Sequence, residues 1–130
     1  MNILIDTSVW IDYFRSGQKT HSLDFLIDEN LIVTNDLILT ELVPFLKVRS
    51  QKSLITLLEQ IRRMQMHIDW AEIIEFQVMC LKNGINSIGI PDLLIVQNAI
   101  HSNSPIFSLD GHFQLIAKKT SLKIFNPKTI

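Results

Sequence analysis

The chain has 130 residues, a formal net charge of −1 and one cysteine, Cys80. This length suits one domain with a substantial core, and we expect a single domain over residues 1–130. A pI near 6.4 argues against a broadly basic nucleic-acid wrapper, and a lone cysteine excludes a disulfide framework. No apolar run reaches the roughly 18 residues of a membrane span. The sequence therefore predicts a cytoplasmic protein without a membrane segment.

The first quarter of the chain predicts strand, helix, helix and strand. A short buried strand is predicted over residues 2–5, because residues 3–5 are all apolar, and Asp6 lies at its C-terminal end. A helix is predicted to follow over 7–15 and another over 23–28. The β-branched residues within 31–34 predict a second strand.

The middle of the chain predicts two helices and a strand. Asn35 or Asp36 is suited to cap a helix that ends near Val48. A further helix is predicted over 50–64, and 66–68 has the composition of a third strand.

Three helices and two strands are predicted in the last half of the chain. The helix over 70–82 is expected to face the core through the apolar residues Trp70, Ile73, Ile74, Val78 and Leu81, with Phe76 and Met79 extending the stripe. Pro91 marks the start of a helix that ends near residue 102. Strands are predicted at 106–109 and, after a short helix, at 122–125.

Strands that alternate with helices predict an α/β sandwich with a mainly parallel central sheet of four to five strands. In open parallel sheets, binding sites form at the carboxyl ends of the strands. Asp6 and Asp110 each follow a predicted strand, so both are expected at that edge.

Four carboxylates lie at the edges of apolar segments or inside them: Asp6, Glu41, Asp92 and Asp110. A lone carboxylate is costly in such surroundings. A chain of net charge −1 has no surplus of acid to scatter into its core. We therefore expect the fold to gather the four around a divalent cation, Mg²⁺ or Mn²⁺, because these ions prefer oxygen ligands.

The helical positions of two of these residues support that expectation. Glu41 shares an arc of its helix with Leu37, Phe45 and Val48, which predicts that its carboxylate lies on the apolar face. A buried carboxylate needs a cation or several donors, so a metal site, a catalytic role or a buried ion pair is expected. Asp92 is predicted to face either inward or into a cleft, because it lies on the side of its helix that carries Ile95, Val96 and Ala99.

Each local signal also has a simpler interpretation. Asp6 and Asp92 stand where a negative charge favours a helix N-terminus. Ser8 is either a helix cap or a hydroxyl bonded to a metal ligand or to a metal-bound water. Asp110 precedes Gly111, so turn chemistry alone accounts for it, and the adjacent His112 is typical of a surface loop.

The acidic motifs resemble those of a known family. Residues 3–11, ILIDTSVWI, look like the opening of PIN-domain proteins, especially the VapC-type toxins of bacterial toxin–antitoxin pairs. Residues 40–42 (TEL), 90–95 (IPDLLI) and 108–113 (SLDGHF) resemble the second, third and closing motifs, in that order. The resemblance covers nearly the whole chain and implies a PIN-like three-layer sandwich.

The same resemblance implies a metal-dependent endoribonuclease that a cognate antitoxin neutralises. The residues that match the family's acidic positions are Asp6, Glu41, Asp92 and Asp110. Ser8 matches a hydroxyl position often found beside them. His112 stands where many relatives carry another acidic residue, so the number of metal ions stays open.

The activity that the resemblance implies is hydrolysis of RNA phosphodiester bonds, and we expect Asp6 and Asp92 to be the direct metal ligands. Glu41 and Asp110 are expected either to bind the same ion, to hold a metal-bound water or to bind a second ion. One alternative is a phosphoryl-transfer domain with Asp6 as nucleophile, although Ser8 stands where that class carries a second acid. Another is a catalytically silent PIN-fold binding module.

The composition also predicts association. Hydrophobic residues form 47% of the chain and mean hydropathy is +0.24, which indicates that apolar surface is covered by a partner. We expect a homodimer and, from the resemblance, an antitoxin that inserts a basic side chain among the carboxylates. Basic residues that supply either a phosphate-binding rim or a solvated face are Arg15, Lys19, Lys47, Arg49, Lys52, Arg62 and Arg63.

Overall fold

A short parallel sheet organises the fold. The structure, a computed structural model, describes residues 1–129. In this part of the chain, β1 (Ile3–Ile5) lies between β2 (Ile32–Val33) and β3 (Ile106–Phe107). Both pairings are parallel, with Leu4 opposite Val33 on one side and Ile106 on the other.

Helices supply the connections, because parallel strands cannot be joined by tight turns. The helices are α1 (Thr7–Arg15), α2 (Ser22–Asp28), α3 (Asp36–Val48), α4 (Lys52–Glu59), α5 (Trp70–Lys82), α6 (Ile90–His101) and α7 (Gly111–Ala117), followed by a 3₁₀ turn at Pro127–Thr129. The predicted α/β architecture with a parallel sheet is confirmed. Within residues 1–129, no helix is both long enough and apolar enough to cross a membrane.

The core surrounds the central strand. All three residues of β1 are buried, as expected for a parallel strand whose two faces are both covered. Trp10 of α1 is also fully buried, and its ring stacks on Phe14 with centroids 5.6 Å apart. The residues that follow β1 are therefore held firmly against the sheet.

Three helices begin at side-chain caps. Asn35 accepts from the Ile38 amide at 2.9 Å and caps α3, as predicted. Asp69 caps α5 in the same way, and Asp110 caps α7. Each cap satisfies one of the backbone donors that a helix N-terminus leaves free.

The predicted core faces of two helices are wrong. Phe45 and Val48, predicted on the inner face of α3, are 54% and 86% exposed, and its core face is formed by Ile38, Leu39, Leu42 and Leu46. On α5, the residues that pack on the core are Ile73, Phe76, Met79 and Cys80, whereas Trp70, Ile74, Val78 and Leu81 face solvent. Both helices carry apolar residues on two sides, so apolar spacing alone did not identify the buried one.

The predicted strand at 66–68 is not formed. The backbone on either side of it pairs with side-chain amides of α6 instead of a sheet neighbour. Gln97 bonds both the N–H and the C=O of Asp69, at 3.1 and 3.0 Å, and Asn98 donates to the Gln65 carbonyl at 3.1 Å. These bonds satisfy backbone groups that a strand would have paired in a ladder.

Two further segments touch the sheet through single bridges. Arg63 pairs with Thr34 beyond β2, and Ile124 pairs with Ile106 of β3. The segment predicted as a strand at 122–125 therefore lies beside the sheet but pairs at one residue.

The helix predicted over 50–64 is shorter at both ends. It ends at Glu59, and Arg62 and Met64 bond the backbone of Thr34 instead. It starts late because Ser50 closes α3 instead of opening the next helix. Ser50 adopts a positive φ of 55°, and the amide of Gln51 reaches back to the Leu46 carbonyl at 2.9 Å. This arrangement is typical of a helix C-terminus. The following helix, α4, starts only at Lys52.

Candidate active site

The carboxyl ends of β1 and β3 meet at one edge of the sheet, and Asp6 lies at their junction. Its amide donates to the carbonyl of Phe107 at 3.0 Å, which continues the pairing of the two strands. Asp6 is buried, although it carries a carboxylate. The fold therefore brings a charged group to the position where parallel sheets form their sites.

Two serine hydroxyls hold the Asp6 carboxylate. Ser8 and Ser108 donate to the same oxygen, Oδ2, at 2.7 and 2.8 Å. Although Asp6 stands at the N-cap position of α1, its side chain makes no capping bond. The capping interpretation of Asp6 is thus wrong, and Ser8 acts as a hydroxyl bonded to an acidic residue.

The serines are themselves oriented by the backbone after β3. The amide of Leu109 donates to the Ser8 hydroxyl at 3.0 Å, and the amide of Asp110 donates to the Ser108 hydroxyl at 2.9 Å. Each hydroxyl receives one hydrogen bond and directs its own proton to Asp6. Sequence reasoning assigned no role to Ser108; the available signal was a hydroxyl residue at the end of an apolar strand.

Glu41 reaches the site from α3, although it does not lie in the core. Burial of its carboxyl against the neighbouring apolar side chains is the largest cause of its raised pKa, and the charges of Asp6 and Asp92 raise it further. The residue as a whole is exposed. Glu41 therefore faces a cleft, which corrects the predicted position on the inner face of α3.

An apolar groove of about 300 Å³ lies beside Glu41, between α1 and α3. Its lining residues are Ile11, Phe14, Arg15, Glu41, Leu42, Phe45 and Leu46. The guanidinium of Arg49 lies 4.4 Å from the centre of the Phe45 ring. The groove thus combines an apolar lining with one carboxylate and one basic side chain, Arg15, and Arg49 covers the ring of one of its lining residues.

Asp92 occupies the first turn of α6 and is half-buried. The residues predicted to share its inward side, Ile95, Val96 and Ala99, are all buried. Burial raises the pKa of Asp92, and the hydrogen bond from the Gly89 amide opposes that effect. The charges of Asp6 and Asp110 raise this pKa as well, so Asp92 lies within electrostatic reach of both carboxylates.

Asp110 and His112 form a pair at the start of α7. One oxygen of Asp110 accepts from the His112 amide at 3.0 Å and lies 2.8 Å from the ring Nδ1. His112 also lowers the pKa of Asp92. His112 is thus a member of the site, although a loop histidine alone indicated a surface residue.

The four predicted carboxylates are brought together without a lysine or arginine to neutralise them. Within residues 1–129, no lysine or arginine forms an ion pair with any of the four. Burial first, and then the neighbouring carboxylate charges, raise the pKa of Glu41 and Asp92. An all-oxygen set of mutually repelling groups has the donor chemistry that Mg²⁺ and Mn²⁺ bind.

The described residues do not form a closed metal cage. No group of three or more histidine, cysteine, aspartate or glutamate side chains among residues 1–129 is arranged to hold a metal ion. Mg²⁺ does not require such a cage, because it keeps several waters and is usually bound by one or two carboxylates together with substrate phosphates. The residues present therefore fit a hydrated divalent ion.

Comparison with known proteins agrees with this fold. A model of the PIN domain matches residues 3–119. The chain belongs to the PIN-domain family. No curated protein matches it significantly.

Three solved structures share the fold. VapBC2 from Rickettsia felis bound to a DNA fragment from its promoter gives a TM-score of 0.75 at 21% identity, covering 97% of this chain and 98% of that one. VapBC-1 from nontypeable Haemophilus influenzae gives a TM-score of 0.70 at 18% sequence identity, covering 98% of this chain and 99% of that one. FitAcB from Neisseria gonorrhoeae gives a TM-score of 0.67 at 20% sequence identity, also covering 98% of this chain and 99% of that one.

The raised pKa of Asp92 predicts that its charge costs stability when no metal is present. The cost exists above the folded-state pKa and disappears as the pH falls below the unfolded-state value. Asparagine removes the charge but keeps an oxygen for the Gly89 amide. In EDTA at pH 7, we expect Asp92→Asn to raise the melting temperature by on the order of 3 °C. This increase in melting temperature over the wild type should become smaller as the pH is lowered.

A matched control is Asp36→Asn, which removes an exposed carboxylate paired with Arg63 outside the site. Calorimetry of the two variants and the wild type provides the measurement. A melting temperature of Asp92→Asn below that of the wild type at pH 7 would show that helix capping is the dominant role of Asp92.

Proposed function

We propose that this protein is a Mg²⁺- or Mn²⁺-dependent endoribonuclease and the toxin of a toxin–antitoxin pair, acting in the bacterial cytoplasm. The observation that carries the proposal is the convergence of four carboxylates at the carboxyl edge of a PIN-domain sheet, none of which is paired with a lysine or arginine in the described part of the chain. Membership of the PIN family and the likeness to VapBC structures support it.

In this mechanism, Asp6 and Asp92 would hold the metal ion, with Glu41 and Asp110 binding it or its waters. When bound, the ion lowers the pKa of a water and neutralises charge on the scissile phosphate. Ser8 and Ser108 orient Asp6 by occupying its Oδ2, which leaves Oδ1 with only the weak 3.5 Å contact to the Thr7 hydroxyl. Glu41, whose pKa is raised, is suited to accept a proton at its carboxylate from an attacking water.

Basic side chains next to the carboxylates would bind the RNA backbone. Arg15 lines the groove beside Glu41, and Arg49 stacks on the exposed ring of Phe45. Other cations of the predicted rim have different partners: Arg63 pairs with Asp36 and Arg62 donates to Asn2. Arg15 and Arg49 are therefore the residues of that rim that we assign to phosphate binding.

The two alternative functions receive less support. A phosphoryl-transfer domain would use Asp6 as a nucleophile, but Ser8 occupies the position of the second acid. A silent binding module has no use for four mutually repelling carboxylates, since their charge destabilises the metal-free fold.

The proposed activity is tested by incubating purified protein with RNA and Mg²⁺ or Mn²⁺. We expect cleavage with either ion, no cleavage in EDTA, and a loss of at least about a hundredfold in Asp6→Asn because a metal ligand is removed. Asp36→Asn serves as the control and should cleave at the wild-type rate. Cleavage that persists unchanged in EDTA would reject the mechanism.

We further propose that the antitoxin segment binds in the apolar groove between α1 and α3. An amphipathic segment with apolar anchors fits the lining formed by Ile11, Phe14 and Phe45. A basic side chain at its end, which we expect to be arginine, would lie among the carboxylates next to Glu41. Such a group competes with the metal ion for the same negative charge.

This partner site predicts different effects for two exposed residues of α3. Phe45→Glu should weaken antitoxin binding by about tenfold or more, because a charge enters the groove, whereas Val48→Glu lies outside the groove lining and should bind as the wild type does. Calorimetric titration with the antitoxin measures both.

The basic side chain of the antitoxin gives a separate prediction. Replacing the antitoxin arginine by alanine should restore RNA cleavage in the complex. Persistent inhibition by a bound alanine variant would show that blockade is steric.

We also propose that the chain forms a homodimer through the exposed side of α5. Trp70, Ile74, Val78 and Leu81 recur along one face of this helix, and Ile74 and Leu81 are 62% and 75% exposed. A contiguous apolar stripe of this length is unusual on a fully solvated surface. A second copy of the same stripe would cover it by helix-to-helix packing.

Light scattering at micromolar concentration tests the dimer. We expect the wild type to have twice the 15.0 kDa mass of one chain. Ile74→Glu should be a monomer because it places a charge in the stripe, and Ser53→Glu, on the exposed side of α4, should remain a dimer. A monomeric mass for the wild type would contradict this proposal.

A further inference from the structure

A buried hydrogen bond joins the two helices that carry Glu41 and Asp92. Asn35, at the N-terminus of α3, donates from Nδ2 to the Oδ1 of Asn98 on α6 at 2.8 Å. Both side chains are buried. Among residues 1–129, this is the one side-chain hydrogen bond that links α3 to α6.

The bond belongs to a chain of hydrogen bonds with a single direction. The Ile38 amide donates to Asn35, Asn35 donates to Asn98, and Asn98 donates to the Gln65 carbonyl at 3.1 Å. Each amide group uses an oxygen as acceptor and a nitrogen as donor, so reversing either amide would break two bonds. The orientation of both asparagines is therefore fixed by their neighbours.

The two asparagines stand at matching distances from the carboxylates. Asn35 precedes Glu41 and Asn98 follows Asp92, in both cases by about one and two-thirds helical turns, or roughly 9 Å. A helix is stiff over that length. The separation between Glu41 and Asp92 is therefore set in part by the contact between Asn35 and Asn98.

The contact opposes a repulsion. Glu41 and Asp92 are both acidic and lie close enough for the charge of Asp92 to act on Glu41. Without a cation, this repulsion favours separation of α3 from α6. A hydrogen bond between buried amides resists such separation, because parting the helices would leave both groups without partners in an apolar interior.

We propose that Asn35 and Asn98 are positioning residues, which hold α3 against α6 so that Glu41 and Asp92 stay spaced for a divalent cation. The inference rests on the proposed metal-dependent function. Neither asparagine touches the carboxylates; both act through the helices that carry them.

The test is Mn²⁺ binding in the absence of RNA, measured by electron paramagnetic resonance. Asn35→Ser keeps a capping oxygen for the Ile38 amide but loses the donor to Asn98. Asn98→Ala removes the other partner. We expect each variant to bind Mn²⁺ about tenfold more weakly than the wild type. The double variant should be no weaker than Asn98→Ala alone, because both changes break the same link.

The matched control is Gln97→Ala, the neighbouring position on α6. Gln97 is also a buried amide with several bonds, but those bonds go to Asp69 and Glu72 and not to α3. We expect Gln97→Ala to lower the melting temperature while keeping wild-type Mn²⁺ affinity. Melting curves and circular dichroism show which variants are folded, and Asn35→Ser, with its cap retained, carries the test if Asn98→Ala does not fold.

Three results would be decisive against one proposal or the other. Wild-type affinity in a folded Asn35→Ser variant overturns the positioning role. An equal loss of Mn²⁺ affinity in Gln97→Ala would also overturn the positioning role, because the weaker binding would then follow from a general loosening of α6. Absence of Mn²⁺ binding by the wild type would instead reject the proposed metal dependence.

Discussion

Repulsion between like charges is the constraint on which this structure depends. Acidic side chains from a strand end, two helices and the start of α7 lie near enough for their charges to act on Glu41 and Asp92, and in residues 1–129 no lysine or arginine forms an ion pair with them. In a small domain, such an arrangement survives only if the surrounding fold is stiff. The buried central strand supplies part of that stiffness. Side-chain bonds that fix Asp6 and link the helices supply the rest.

The site is also asymmetric in how firmly its members are held. Asp6 is buried and bonded by two serines whose own oxygens receive backbone amides. Asp110 is tied to the turn that starts α7. Glu41, in contrast, extends from an exposed part of α3 beside an open groove. Asp6 and Asp110 are therefore held in fixed positions, whereas the side chain of Glu41 is free to move when a ligand enters the groove.

Much of this arrangement was predictable from the sequence, because it depends on local signals. The strand ending at Asp6, the cap at Asn35 and the inward side of Asp92 all follow from short-range patterns. The faces of α3 and α5 were not predictable, since apolar residues on both sides of a helix leave the buried side undetermined. The role of Ser108 and the side-chain hydrogen bonds to the backbone of Gln65 and Asp69 arise from contacts between distant parts of the chain.

The serine support of Asp6 has a consequence for the order of assembly. Ser108 lies 102 positions after Asp6, so the chain must close a long loop before that bond exists. Until β3 has docked beside β1, Asp6 lacks one of its serine donors, and the backbone amide that orients Ser8 is absent as well. A nascent chain on the ribosome, with β3 not yet synthesised, therefore contains the first acidic residue but not the geometry around it. The geometry of the site therefore forms only after the domain has been almost completely synthesised and folded.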